Sequence, residues 1–164
     1  TRFDLHMNGK NSLRNDEIRG FNLFMGKAKC ATCHFVPLFS GSKPPHYYII
    51  ESEVIGVPLN KDTLHAVIDP DKGRIHMTGA VVHEFSFKTP GLRNVAVTAP
   101  YMHNGVFETL EEVVDFYNKG GGAGLGINLP NQTLPADKLN LSDVEKSDIV
   151  AFLKSLTDIK YPKH

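Results

Sequence analysis

Cysteine is nearly missing from this chain of 164 residues, which holds only Cys30 and Cys33. Both fall in one short motif, so no disulfide is available, and the cysteine count by itself says nothing about redox compartment. Net charge is missing too. Eighteen basic residues face 18 acidic ones, and nothing in that balance argues for nucleic acid or an anionic membrane as partner. No apolar run is long enough to span a bilayer. No pair of histidines stands near the cysteines at zinc-site spacing, which leaves a structural zinc site short of its four ligands. A chain that opens at Thr1 rather than Met, with no signal peptide, is expected to be processed, cut or engineered.

What is present is Cys30-Ala31-Thr32-Cys33-His34. Two thiols three positions apart, followed at once by an imidazole, match the attachment signature of c-type haem. Each thiol can add to one haem vinyl group, and His34 can then reach the iron as proximal ligand. A redox dithiol uses the same cysteine spacing but has no need of His34 and expects a strand-to-helix context. The cofactor expected is one covalent haem c. Because such haems are attached outside the bacterial cytoplasm, the protein is expected in the periplasm. Apolar residues make up 41% of the chain, enough for a core, while 14 glycines and 10 prolines predict much irregular backbone.

The chain reads as one domain over residues 1–164, with a core at about 15–158, or as one half of a larger enzyme. The first predicted helix is capped by Asn15, carries Asp16 and Glu17 in its first turn, and repeats Ile18, Phe21 and Met25. Met25 is expected in the core. Gly20 on this helix suits a close crossing by another helix. Phe35 to Thr89 reads as loop, with short extended pieces at Tyr47–Ile50 and Glu84–Lys88. Such a stretch is long for a connection and is expected to wrap a haem edge or meet a partner. Thr109 and Glu112 form a capping box ahead of Leu110, Val113, Val114 and Tyr117, and the glycines from Gly120 end that helix. Ser142 and Glu145 repeat the box before Ile149, Phe152, Leu153 and Leu156. The fold class expected is mainly α, a cytochrome c-like haem domain with long irregular loops, its first and last helices crossing beside the haem.

The segment Phe87-Lys88-Thr89-Pro90-Gly91-Leu92-Arg93-Asn94-Val95-Ala96-Val97-Thr98-Ala99-Pro100-Tyr101-Met102-His103-Asn104-Gly105, with Thr109-Leu110-Glu111-Glu112-Val113-Val114-Asp115-Phe116-Tyr117, resembles the C-terminal haem domain of bacterial di-haem cytochrome c peroxidases and the related MauG enzymes. The likeness runs from Ile18 through the terminal helix. One departure is Gly91, where the family usually has a bulkier residue. A larger one is that family members carry two haem domains and this chain has one attachment motif. The resemblance implies an oxidoreductase acting on peroxide, in which this domain relays electrons and a second haem meets the peroxide. The partners implied are that second haem domain or subunit and a small electron-transfer protein. Two alternatives stay open: an independent mono-haem cytochrome c carrier, and a mono-haem peroxidase.

The ligand opposite His34 decides the chemistry. From position alone Met102 is a candidate, on a Pro-flanked loop, and Met77 a weaker one. The resemblance implies Tyr117, at the family position held by methionine in the peroxidases and by tyrosine in MauG-like members. A core tyrosine hydrogen-bonded to a carbonyl or propionate is the plain alternative. The resemblance also implies a place near the haem and its propionates for His103, and calcium held by the main-chain carbonyls of Thr98 and Pro100. Arg93 could neutralise a propionate or be a solvated surface arginine. His6, His46, His65, His76, His83 and His164 lie in predicted loops or tails without ligand spacing, and none is assigned to metal.

Overall fold

The computed structural model describes residues 1–10 and 12–160; His164 falls outside them. Two helices near the ends of the chain carry the architecture. The last, which we label α6, is Asp143–Ser155. It starts as its sequence predicts: the Glu145 amide donates to Ser142 Oγ at 3.3 Å, and the Ser142 amide to the Glu145 carboxylate at 2.8 Å. Its stripe of Ile149, Phe152, Leu153 and Leu156 is buried throughout. The partner helix α2, Asn15–Met25, begins one residue ahead of its expected cap. Asn15 is already helical, and the Arg14 amide is taken at 2.9 Å by Glu17, whose fully buried carboxylate also meets the Arg2 and Arg14 guanidinium groups. Gly20 and Phe24 occupy the buried line of α2. Met25 is 47% exposed rather than in the core, since one step past Phe24 turns a side chain 100° away.

Gly20 is where α2 and α6 touch: a methyl group there would sit 1.9 Å from the Asp148 carbonyl oxygen. Beside it, Arg19 grips the buried Asp148 carboxylate with two hydrogen bonds of 2.7 and 2.9 Å. The glycine on the predicted helix therefore marks a close crossing.

A helix that periodicity does not reveal precedes this pair. α1, Arg2–Met7, is six residues long, too short to show a repeat. His6 therefore lies on a helix rather than in a tail. Phe3 of α1 is 3% exposed and joins the core ahead of the expected span. It packs edge-on against Phe39 at 5.0 Å, while Phe152 meets Phe24 at 5.2 Å and Phe39 at 5.7 Å. Each such ring stabilises the fold by about 1.5–3 kcal/mol through burial. A bidentate pair, Arg93 to Asp4 at 2.9 Å twice, ties α1 to the loop after the motif. That guanidinium holds the Asp4 carboxyl well below the usual carboxylate range, against the opposing effect of burial. The pair's contribution is thus fully present above the ordinary value of 3.8 and lost as pH falls below it. Asp4→Asn is expected to lower unfolding free energy by at most about 1 kcal/mol at pH 7, since solvent reaches the pair. In urea melts the gap between variant and parent should close as the pH drops below the carboxylate range. A gap of constant size would contradict this assignment.

The middle of the chain is irregular, as expected, and helices supply most of the regular structure. Two short strands, β1 (Ser52–Val54) and β2 (Ser86–Lys88), pair antiparallel with Glu53 opposite Phe87. The extended piece expected at 84–88 is present over its last three residues, Phe85 before it having φ +60°. The one expected at 47–50 is displaced: Tyr47 to Ile50 lie exposed, and the strand starts two residues later. A single turn, α3 (Ile75–Thr78), carries His76, and His83 sits on a 3-10 turn. Helix α4, Leu110–Asn118, has the predicted capping box, with Thr109 Oγ1 accepting from the Glu112 amide. Gly120 ends it at φ +92°, and a one-turn α5, Gly121–Gly124, follows. A small second core of Val54, Ile127 and Leu129 backs the strands.

Candidate functional site

The motif follows α2 directly and is rooted in the core. Ala28 is 6% exposed, and Cys30 and Ala31 pack against the main cluster. Cys30–Thr32 form a 3-10 turn, and the amides of Cys33 and His34 both donate to the Cys30 carbonyl, at 3.3 and 3.0 Å. Neither thiol is in a disulfide. Burial pushes the Cys30 thiol up to about 12 and raises Cys33 as well.

His34 is aimed by a distant segment. Phe39, fully buried, takes the Leu92 amide at 2.9 Å, which draws residues 90–92 alongside the motif. The His34 Nδ1 then lies 3.1 Å from the Pro90 carbonyl. A carbonyl can only accept, so Nδ1 carries the proton and Nε2 keeps its lone pair. Burial pulls His34 down to about 4, with the Phe39 and Pro90 backbones opposing. The imidazole is therefore neutral at pH 7, the form that ligates metals.

Tyr117, on α4, shares this space. Burial raises its phenol far above the ordinary range, and the nearby Glu53 carboxylate pushes it the same way. No protein group among the described residues hydrogen-bonds the hydroxyl, so the alternative of a tyrosine tied to a backbone carbonyl has no partner here. Glu53 of β1 is the residue that sequence reading passed over, and its charge helps to raise the Cys33 thiol. Strand alternation was the available signal, but it needs the register to be known.

The other sequence candidates divide. Met102 is half-buried with φ +70°. Met77 is 89% exposed on α3, which removes it from any buried position. His103 stacks on Phe87 at 3.7 Å and 8°, and its Nε2 lies 3.3 Å from Asp69. Asp69 also accepts from Asn104 at 3.0 Å. Arg93 spends its guanidinium on Asp4 and on the Pro37 carbonyl at 2.9 Å. Thr98 and Pro100 are exposed loop residues. Gly91 has room for a larger side chain, its nearest would-be contact being Ser40 at 3.9 Å.

This donor set fits a haem c. It comprises two unbonded thiols, a neutral imidazole with a spare nitrogen, and a half-buried phenol with no protein hydrogen-bond partner among the described residues. Two buried polar atoms, Thr89 Oγ1 and Glu51 Oε2, lack partners on the segments that lead to Pro90 and Glu53. A cleft of about 440 Å³ along the strand pair, walled by Ile50, Arg74, Met77 and Ser86, touches none of the thiols, His34 or Tyr117. Chemistry rather than cavity size identifies the site.

No protein-family model matches the chain. Individual proteins do. The chain is 38% identical over 173 residues to cytochrome-c peroxidase IdrP1 of Pseudomonas sp. (strain SCT), a match covering 94% of this chain and 44% of that protein. It is 33% identical over 141 residues to methylamine utilization protein MauG of Methylorubrum extorquens, covering 86% of this chain and 34% of the other. Among solved structures, a MauG-like protein associated with microbial copper homeostasis superposes with a TM-score of 0.78 at 31% identity, covering 96% of this chain and 51% of that one. The diheme peroxidase BthA from Burkholderia thailandensis gives 0.68 at 27% identity, over 98% of this chain and 47% of its own. The chain thus spans about half, or less, of the length of these relatives.

Proposed function

This chain is a relative of the di-haem cytochrome c peroxidases and MauG, and from that kinship we propose that residues 1–164 form one cytochrome c-like haem domain, the counterpart of the C-terminal half of those enzymes. In this reading it relays electrons between a donor protein and a second, peroxide-reactive haem. The observation that carries the proposal is the motif itself, with Cys30, Cys33 and His34 on one turn, the His34 Nδ1 anchored at 3.1 Å and the Tyr117 phenol beside the thiols.

A haem c held there supplies a one-electron iron couple. The chain's own residues do the rest. Cys30 and Cys33 anchor the group, and their link to the end of α2 fixes it against the core. His34 offers Nε2, turned by the Pro90 carbonyl. Tyr117, on α4, would supply the second protein ligand. A phenol so resistant to ionisation gives up its proton only next to a strong cation, and once ionised it favours the ferric state. His103, steadied by Asp69 and Phe87, would serve the haem and its propionates. Arg93 would reach a propionate only by leaving Asp4. Thr98 and Pro100, being exposed, can offer carbonyl oxygens to a calcium ion at the contact with a second haem domain. No helix among the described residues is long and apolar enough to cross a membrane, and covalent haem assigns the domain to the periplasm.

The test is covalent attachment. Matured through a c-type haem pathway, the chain is expected to keep its pigment in acidified organic solvent, and Cys30→Ala with Cys33→Ala to release all of it. A colourless parent, or one that loses pigment to solvent, overturns the reading. For the relay role, a second haem domain is expected to purify with the native protein, and peroxide added to this domain alone is expected to leave its Soret band unchanged. A Soret change would assign the peroxide chemistry to this haem instead.

A further inference from the structure

We infer that Glu53 sets the charge of the haem crevice and holds its iron toward the ferric state. The inference rests on the haem reading above and adds to it a residue that tunes the potential. The register carries the argument. In the β1–β2 pair, Val54 lies opposite Ser86 and Glu53 opposite Phe87. Side chains alternate between the faces of a strand. Val54 and Ser86, 1% and 2% exposed, belong to the face backed by Ile127 and Leu129. Glu53 and Phe87 therefore point the other way, where Phe87 stacks on His103. The motif adjoins this strand pair: the Thr89 amide donates to the Glu51 carbonyl at 3.1 Å, and the carbonyl of the next residue, Pro90, holds His34 Nδ1 at 3.1 Å, while the Glu53 charge bears on Cys33 and Tyr117.

Charge balance singles this residue out. Its near neighbour Glu51, also facing the crevice, is paired with Lys43, so the two together contribute no net charge. Among the described residues Glu53 has no such ion pair. A carboxylate without a salt-bridge partner at the edge of a half-buried site acts over several ångströms, because the effective dielectric there is below that of water. It opposes the gain of an electron by the iron.

The experiment compares the holoprotein with Glu53→Gln and Glu53→Asp by spectroscopic redox titration. Removing the charge is expected to raise the ferrous-to-ferric ratio at a fixed ambient potential about tenfold, which is about 59 mV for a one-electron couple. Glu53→Asp keeps the charge and should stay within about twofold of the parent, since a shorter side chain moves the carboxylate without discharging it. Removing Lys43 and Glu51 together, one charge of each sign, should likewise leave the ratio near the parent's. Equal shifts for Glu53→Asp and Glu53→Gln, or none for Glu53→Gln, overturn the inference. All arms are measured on protein whose haem resists acidified solvent. A parent lacking covalent haem would instead overturn the reading on which this inference rests.

Discussion

Replacing Tyr117 by methionine is expected to raise the haem midpoint potential by on the order of 0.2 V, within the ~0.8 V range that axial ligands command. The reason lies in what each side chain asks of the iron. A phenolate is an anionic oxygen donor that holds Fe(III), whereas a neutral thioether favours the reduced state. The site's surroundings amplify this contrast. Tyr117 is held where burial and the Glu53 carboxylate resist its ionisation, so a phenolate there would depend on the metal's own charge. The ferric Tyr117→Met protein should gain the thioether-to-iron charge-transfer band that the parent lacks. Tyr117→Phe, with no donor atom, should instead open the position and shift the ferric spectrum towards high spin. A parent that already shows the thioether band would hand the position to Met102, and so would a Tyr117→Met variant with an unchanged potential.

The second large effect is structural. Gly20→Ala is expected to cost on the order of 3 kcal/mol of stability, in the range of severe overpacking. Helix propensity alone predicts the reverse sign, since alanine in place of a mid-helix glycine gains about 1 kcal/mol. Geometry decides. The added methyl would stand 1.9 Å from the Asp148 carbonyl oxygen and 2.8 Å from Phe152 Cβ, atoms of a packed helix that cannot swing aside. For a chain of this length such a loss lowers the thermal midpoint by about 10 °C. Gly91→Ala serves as the control, because its methyl meets nothing nearer than 3.9 Å, and should leave the midpoint within a degree or two. If Gly20→Ala melted with the parent, the two helices would not cross at this point.

The consequence would reach the site. The motif hangs from the C-terminal end of α2, and Phe39, which steers residues 90–92 toward His34, packs on Phe152. Loosening α2 from α6 therefore disturbs both the attachment turn and the element that orients the imidazole. The stability of the helix pair and the geometry of the proposed iron ligand rest on the same aromatic cluster.

Some of this was legible in the residues alone. Cys30, Cys33 and His34 declare their chemistry through spacing, because covalent attachment and coordination need atoms a few bonds apart. The helices from Thr109 and Ser142 could be read because a capping box and its apolar stripe are local, each element's signal lying within its own turns. The start of α2 was off by one residue because a buried glutamate, held by Arg2 from another helix, supplies its cap. Nothing local announces that.

Tertiary structure decided the rest. α1 is too short to carry a period, and its place is set by Phe3 finding Phe39 and by Asp4 finding Arg93, partners 36 and 89 positions away. Met25 left the core because Phe24 took its place against Phe152. Glu53 turned toward the thiols only once the strand register was set, and a one-residue slip would have sent it to the opposite face. The sequence by itself thus determined which groups can hold a haem and where the best helices begin, since those depend on neighbours along the chain. Which carboxylate shares the crevice, what turns His34 and how closely the helices pack depend on neighbours through space, and only the folded chain supplies them.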